Sequence, residues 1–185
     1  MFEVTRRSAF VTAGLLAGLV AGSLAYAQSV SNLSLLDRSH DNDTIDNQLY
    51  IQQEVANGGA VAAPLSSITT RYWFTNETPS DPLEFDCDYA QVGCANITSK
   101  LVSLATPIPG KANMYMELSF KAAAGSIAAG RNSGEIQGRI HHVAFSNFNT
   151  AESYSFVSDP SFVYKASQTV TVYLNGTLVW GVEPH

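Results

Sequence analysis

Asp88 and Tyr89 follow Cys87 directly, so an acid and an aromatic ring stand side by side between the only two cysteines of the chain, Cys87 and Cys94. A bridge between those cysteines would close a short loop and hold both side chains at its start. A carboxylate and a flat ring fixed at a surface make a contact device, and a poor start for a catalytic centre. Asp86 and Asp88 project to the same side of an extended segment. Nothing in the sequence marks a facing acid that would complete a two-carboxylate hydrolytic pair. The four histidines (His40, His141, His142 and His185) show no zinc-ligand spacing to the cysteines. His141 and His142 are adjacent, so in a strand they point to opposite faces and do not form a paired metal site.

The N-terminus has the features of an export signal. Arg6 and Arg7 precede an apolar run from Ala9 to Leu24, and Ala25-Tyr26-Ala27 supplies a small-x-small cleavage pattern. Residues 1–27 are therefore expected to be a signal peptide, by the general or the twin-arginine route, with the product secreted after cleavage near Ala27. The apolar run is too short and too rich in Gly and Ala for a membrane span. The 158 residues from Gln28 onward suit one domain, which buries roughly two-thirds of its unfolded surface. Removing the signal leaves eight basic and fifteen acidic residues, a net charge of −7. That balance disfavours nucleic acid and anionic lipid, which require clustered Lys or Arg. In an exported chain the two cysteines are expected to pair. Closing so short a loop stabilises the fold by about 2–3 kcal/mol.

The elements that must position Asp88 and Tyr89 are strands. Gln28 to Asn47 is rich in Ser, Asp and Asn without sustained periodicity, and 28–47 is expected to be a tail or linker, although Leu33, Leu35 and Leu36 could dock. From residue 48 to the C-terminus the pattern is β. Leu49-Ile51-Gln53-Val55 alternates, as does Met114-Met116-Leu118-Phe120 against Tyr115-Glu117-Ser119. Ile68 to Thr75, a short Leu101 to Leu104, Glu135 to His141 and Val170 to Leu174 follow. Asn175-Gly176 between two such runs predicts a two-residue type I′ hairpin. Ala122-Ala123-Ala124, with Gly125 and Gly130 close by, is too short to hold a helix. Trp73 and Trp180 lie in apolar strand runs and are expected in the core. The fold class is all-β, an antiparallel β-sandwich.

Several blocks, in order, resemble the family 3 carbohydrate-binding modules, the cellulose-binding domains of bacterial scaffoldins and cellulases. They are Arg71-Tyr72-Trp73-Phe74-Thr75, Cys87-Asp88-Tyr89-Ala90, Ile136-Gln137-Gly138-Arg139, Tyr154-Ser155-Phe156 and Tyr173 to Pro184. The resemblance covers Leu49 to the C-terminus and implies jelly-roll topology, with 48–185 as one stand-alone secreted module. It also implies a flat strip of rings with an Asp–Arg pair that lies on cellulose. The family's Asp falls on Asp88, its neighbouring ring on Tyr89, its arginine on Arg139, and its tryptophan on Phe145, a smaller ring. A further tyrosine of some members falls near Cys94, so that ring is missing. Each position has another reading: Tyr89 as a packed loop ring, Phe145 as core, Asp88 with Arg139 as a structural ion pair. Many members also bind one structural calcium ion, whose oxygen ligands would fall on Thr75, Glu77, Asn149, Glu152 and Ser153.

Three function classes follow from this. The first is a non-catalytic module that binds cellulose or a related β-glucan, assisting polysaccharide degradation or adhesion to plant cell wall, with secreted cellulases as partners. The second is an enzyme. The acids lack a facing partner, and a copper monooxygenase of polysaccharides begins with a histidine where Gln28 is expected here. The third is a protein-interaction or enzyme-helper module of the same fold that has lost the strip.

Overall fold

The computed structural model describes residues 32–185. The predicted signal at 1–27 and the first residues of the predicted tail lie outside that range. Nine longer strands and two two-residue ones build two antiparallel sheets; the longer ones are β1 (Leu33–Asp37), β2 (Gln48–Asn57), β3 (Ile68–Phe74), β4 (Leu83–Ala90), β5 (Ile97–Ile108), β6 (Ala112–Phe120), β7 (Ile136–His142), β8 (Val170–Leu174) and β9 (Thr177–Trp180). The first sheet runs Lys165–Ala166, β1, β2, β7, β4, with Arg131–Asn132 also paired to β2. The second runs β9, β8, β3, β6, β5. Packed face to face, they form a β-sandwich of the jelly-roll type. Leu35, Ile51, Val55, Ile136 and Ile140 of the first sheet share one buried cluster with Ile68, Phe74, Met116, Leu118 and Val172 of the second.

The period-two runs become strands because alternate residues enter that core. Leu49, Ile51, Gln53 and Val55 are all buried in β2. Asn175 (φ 50°) and Gly176 (φ 79°) both adopt the left-handed backbone that a type I′ turn requires, and they join β8 to β9. Ala122–Ala124 forms a single 3-10 turn.

Two expectations are corrected. The tail assigned to 28–47 contains a full strand: Leu33, Leu35 and Asp37 turn inward, and Leu33 to Asp37 pairs with Gln53 to Asn57. The alternation spans three residues and ends on an acid, so polar flanks hid it. The short strand at Leu101 to Leu104 is instead the twelve-residue edge strand β5. An edge strand exposed along most of its length carries polar residues at many positions, which blurs its period.

The outer face of the second sheet is engaged by its own side chains. Arg71 lies 4.5 Å from the centre of the Tyr115 ring and 4.3 Å from that of Tyr173, and pairs with Glu117 at 3.0 Å. Among the described residues no helix is long and apolar enough to cross a membrane.

Candidate functional site

The outer face of the first sheet presents Asp88, Tyr89 and Arg139 through one irregularity. β4 and β7 run antiparallel with Arg139 opposite Asp86 and Gln137 opposite Tyr89. Between those pairs one step on β7 (Gln137 to Gly138) matches two on β4 (Tyr89 to Cys87). The extra residue is Asp88, a β-bulge. It explains how two neighbours in a strand, Asp88 and Tyr89, are both exposed, while Phe85, Cys87 and Ala90 sit deeper. Gly138 makes the close pairing feasible. A Cβ there would lie 2.6 Å from both the Asp86 carbonyl oxygen and Phe85 Cζ. Cys87 and Cys94 are bonded, with Cα atoms 5.8 Å apart, and the bridge anchors the strand end that carries the bulge.

Arg139 is clamped between two carboxylates. Its Nη1 donates to Asp88 Oδ1 at 2.5 Å and its Nη2 to Asp86 Oδ2 at 3.2 Å. The same Asp86 oxygen lies 3.2 Å from His141 Nε2. The His141 ring is stacked on Phe145, with centroids 4.8 Å apart and planes 5° apart. Phe145 is 50% exposed and Tyr89 49%, so neither is core. The line of contacts runs Asp88, Arg139, Asp86, His141, Phe145, and Tyr89 stands next to Asp88.

Phe145 takes the left-handed backbone (φ 56°). That conformation is unfavourable for a bulky residue unless its surroundings fix it. Val143 N–H donates to the Pro82 carbonyl at 2.8 Å and Phe145 N–H to the His142 carbonyl at 2.9 Å. Asp81 accepts from Ala144 N–H at 3.1 Å and from the Ser146 hydroxyl at 2.7 Å. The Ser146 hydroxyl, with help from Ala144 N–H, holds the Asp81 carboxyl below its ordinary pKa. His142 points the other way, fully buried, stacked on Phe148 and within 3.0 Å of Asn76 Oδ1. The two adjacent histidines thus face opposite sides. Trp73 is 4% exposed and donates to Thr171 Oγ1 at 3.0 Å, and Trp180 is half-buried and donates to the Ser167 carbonyl at 2.7 Å.

The five residues expected at a cation site also converge. Thr75 Oγ1 donates to the Glu152 carbonyl at 2.8 Å and Thr75 N–H to Ser153 Oγ at 3.3 Å. Asn149 donates through its backbone N–H to Glu77 Oε1 at 3.3 Å and through Nδ2 to Glu152 Oε1 at 3.1 Å. Desolvation raises the Glu77 pKa, and the Glu152 charge adds to it. Neither glutamate has an ion-pair partner among the described residues. Two mutually repelling carboxylates among neutral oxygens are a donor set that fits a hard cation such as calcium.

The expected residues Asp88, Tyr89, Arg139 and Phe145 share one face, joined by residues that sequence reasoning missed. Asp86 and His141 belong to the same line. A period-two signal existed, since each lies two positions from an expected site residue. For Asp86 it already placed the acid on the side of Asp88, but the link from Asp86 to Arg139 and His141 became readable only once β4 and β7 were known to be neighbours. A further acidic group, Asp41, Asp43 and Asp46, brings carboxylate oxygens within 4.8 Å of one another and was not anticipated.

A family profile described as cellulose binding domain matches residues 36–181. The chain is 33% identical over 152 residues to a beta-mannanase/endoglucanase A of Caldicellulosiruptor saccharolyticus, covering 82% of this chain and 11% of that protein. It is 39% identical over 143 residues to endoglucanase A of Paenibacillus lautus, covering 77% of this chain and 20% of that protein. The chain therefore spans a small part of these curated relatives. Among solved structures, the CBM3b of the major scaffoldin subunit ScaA from Acetivibrio cellulolyticus superposes with a TM-score of 0.78 at 32% identity, over 84% of this chain and 99% of that one.

Proposed function

The chain belongs to the cellulose binding domain family, and on that premise we propose that it is a non-catalytic module that binds cellulose or a related β-glucan through Asp88, Tyr89, Arg139 and Phe145. One observation carries the reading: two half-exposed rings and a clamped Asp–Arg pair share one sheet face. Axial C–H groups give a glucan chain apolar faces, on which flat rings stack at little entropic cost. The guanidinium and carboxylates add a hydrogen-bonding patch between the rings. Exposed as it is, the ion pair itself contributes about 0–1 kcal/mol to stability, so its use lies in shape and hydroxyl contacts.

The test is depletion of the protein from solution by microcrystalline cellulose. Tyr89→Ala and Phe145→Ala should each weaken binding about fivefold, the equivalent of ~1 kcal/mol per lost ring. Retention in the supernatant, or equal depletion by the double variant, overturns the strip. Retention in the supernatant would favour the interaction-module alternative, which requires the fold without cellulose binding.

Calcium is proposed as a structural ion held by Thr75, Glu77, Asn149, Glu152 and Ser153, where it would relieve the repulsion between the two glutamates. The site of action is proposed to be extracellular, reached through the export signal expected at 1–27. Its neighbours there would be secreted cellulases, because relatives carry this module within endoglucanases.

A further inference from the structure

With the strip taken as the binding face, as proposed above, its middle is occupied by Asp86 and His141. Asp86 Oδ2 accepts from Arg139 Nη2 and lies against His141 Nε2, each at 3.2 Å. Its Oδ1 accepts no hydrogen bond among the described residues, and the side chain is 49% exposed. The His141 side chain is 7% exposed, because Phe145 covers it. One carbonyl, that of His142, accepts Phe145 N–H at 2.9 Å and lies 2.9 Å from His141 Nδ1. The same oxygen therefore touches both members of the ring stack, and Asp86 lies between the lower ring and Arg139.

We propose that Asp86 is itself a sugar-contacting residue at the centre of the strip, and that His141 is a positioning residue that holds Phe145 flat beside it. Asp86 offers its free oxygen to a glucan hydroxyl, which donates to it. His141 meets no sugar. It supplies the parallel support that keeps the ring of Phe145 in line, in a loop whose left-handed residue depends on such constraints.

A double-mutant cycle on microcrystalline cellulose tests this, with Tyr89→Ala measured beside it and urea unfolding recorded for every variant. His141→Ala is expected to weaken binding about fivefold, and Phe145→Ala added to it should cost little more, since the two act as one unit. His141→Phe, which restores a flat ring under Phe145, should recover most of the loss, a rescue that a role in stability alone does not explain. Asp86→Ala should weaken binding by a similar factor in either background. If His141→Ala does not fold, His141→Leu, which fills the space without a flat ring, takes its place. Wild-type binding by the His141 variant, losses that add in full to those of Phe145→Ala, or unchanged binding by Asp86→Ala would overturn the proposal. If Tyr89→Ala weakens binding in those cases, the strip stands and this inference alone fails. If Tyr89→Ala and Phe145→Ala are both without effect, the strip itself fails and takes this inference with it.

Discussion

Replacing Gly138 by alanine perturbs the fold and the binding face through one contact. The new Cβ would sit 2.6 Å from the backbone oxygen of Asp86 and from the tip of the Phe85 ring. Ordinary contact begins near 3.4 Å, so β4 and β7 must part by about 0.8 Å, or the ring must leave a partly buried site; overpacking of this kind costs about 1–3 kcal/mol. Phe85 can swing away, but the Asp86 carbonyl belongs to the strand and cannot. Moving Asp86 outward by the same amount stretches its 3.2 Å bond to Arg139 to about 4 Å, beyond hydrogen-bonding range. G138A should therefore unfold at lower urea and bind cellulose several-fold more weakly, with the Asp86 contacts loosened. Adding Phe85→Leu should restore part of the stability and little of the binding, because the backbone collision remains. Urea unfolding followed by fluorescence and a cellulose depletion isotherm measure the two effects separately. An unchanged urea midpoint, or full recovery of binding by Phe85→Leu, would refute the argument that backbone proximity at Gly138 sets the strip.

Two further outcomes follow from the charges. Burial pushes the carboxyl of Asp37 up to about 8, only partly offset by the Arg38 N–H, where it lines a cavity of about 20 Å³. Between about pH 4 and pH 8 the native chain keeps a proton that the unfolded chain has lost, so stability falls as pH rises, by up to about 1.4 kcal/mol per unit. Asp37→Asn should remove that slope and exceed wild type in urea midpoint at pH 8. The same slope in both proteins would show that Asp37 is not its source. For the cation site, calcium at about a hundred times its Kd should stabilise the fold by about 2.7 kcal/mol, seen as a rise in Tm that a chelator reverses. Glu77→Gln with Glu152→Gln should abolish that rise, and a persistent rise would place the ion elsewhere.

Most of the sandwich is legible in the sequence because its central strands bury every second residue. Leu49-Ile51-Gln53-Val55 shows this, and Asn175-Gly176 marks its hairpin by turn chemistry alone. β1 is not legible, because its inward row is Leu33, Leu35 and Asp37, and an acid in the core breaks the hydrophobic signal. The site divides in the same way. Asp88, Tyr89 and Arg139 can be named from blocks that resemble a family, and Phe145 from its distance after Arg139. Asp86 and His141 depend on a pairing between strands some fifty residues apart, which no local pattern encodes. The bulge at Asp88 is equally hidden, since it is a count of residues on one strand against those on another.

On the proposed reading, the ring that the resemblance places near Cys94, and that is missing here, acquires a physical meaning. A strip with one ring fewer has less stacking area, so the proposed binding draws on how little freedom remains to be lost. The disulfide anchors the end of β4, the bulge aims Asp88 and Tyr89 outward together, and Arg139 is held by two carboxylates instead of one. Phe145, smaller than the tryptophan expected there, is backed by the His141 ring and held by Asp81 through its neighbours Ala144 and Ser146. Cross-linking and clamping cannot add contact area, but they reduce the entropy lost when a flat surface meets another flat surface. In the proposed strip the segment from Phe85 to Cys94 therefore has two jobs at once: it supplies the central acids and fixes the strand that presents them.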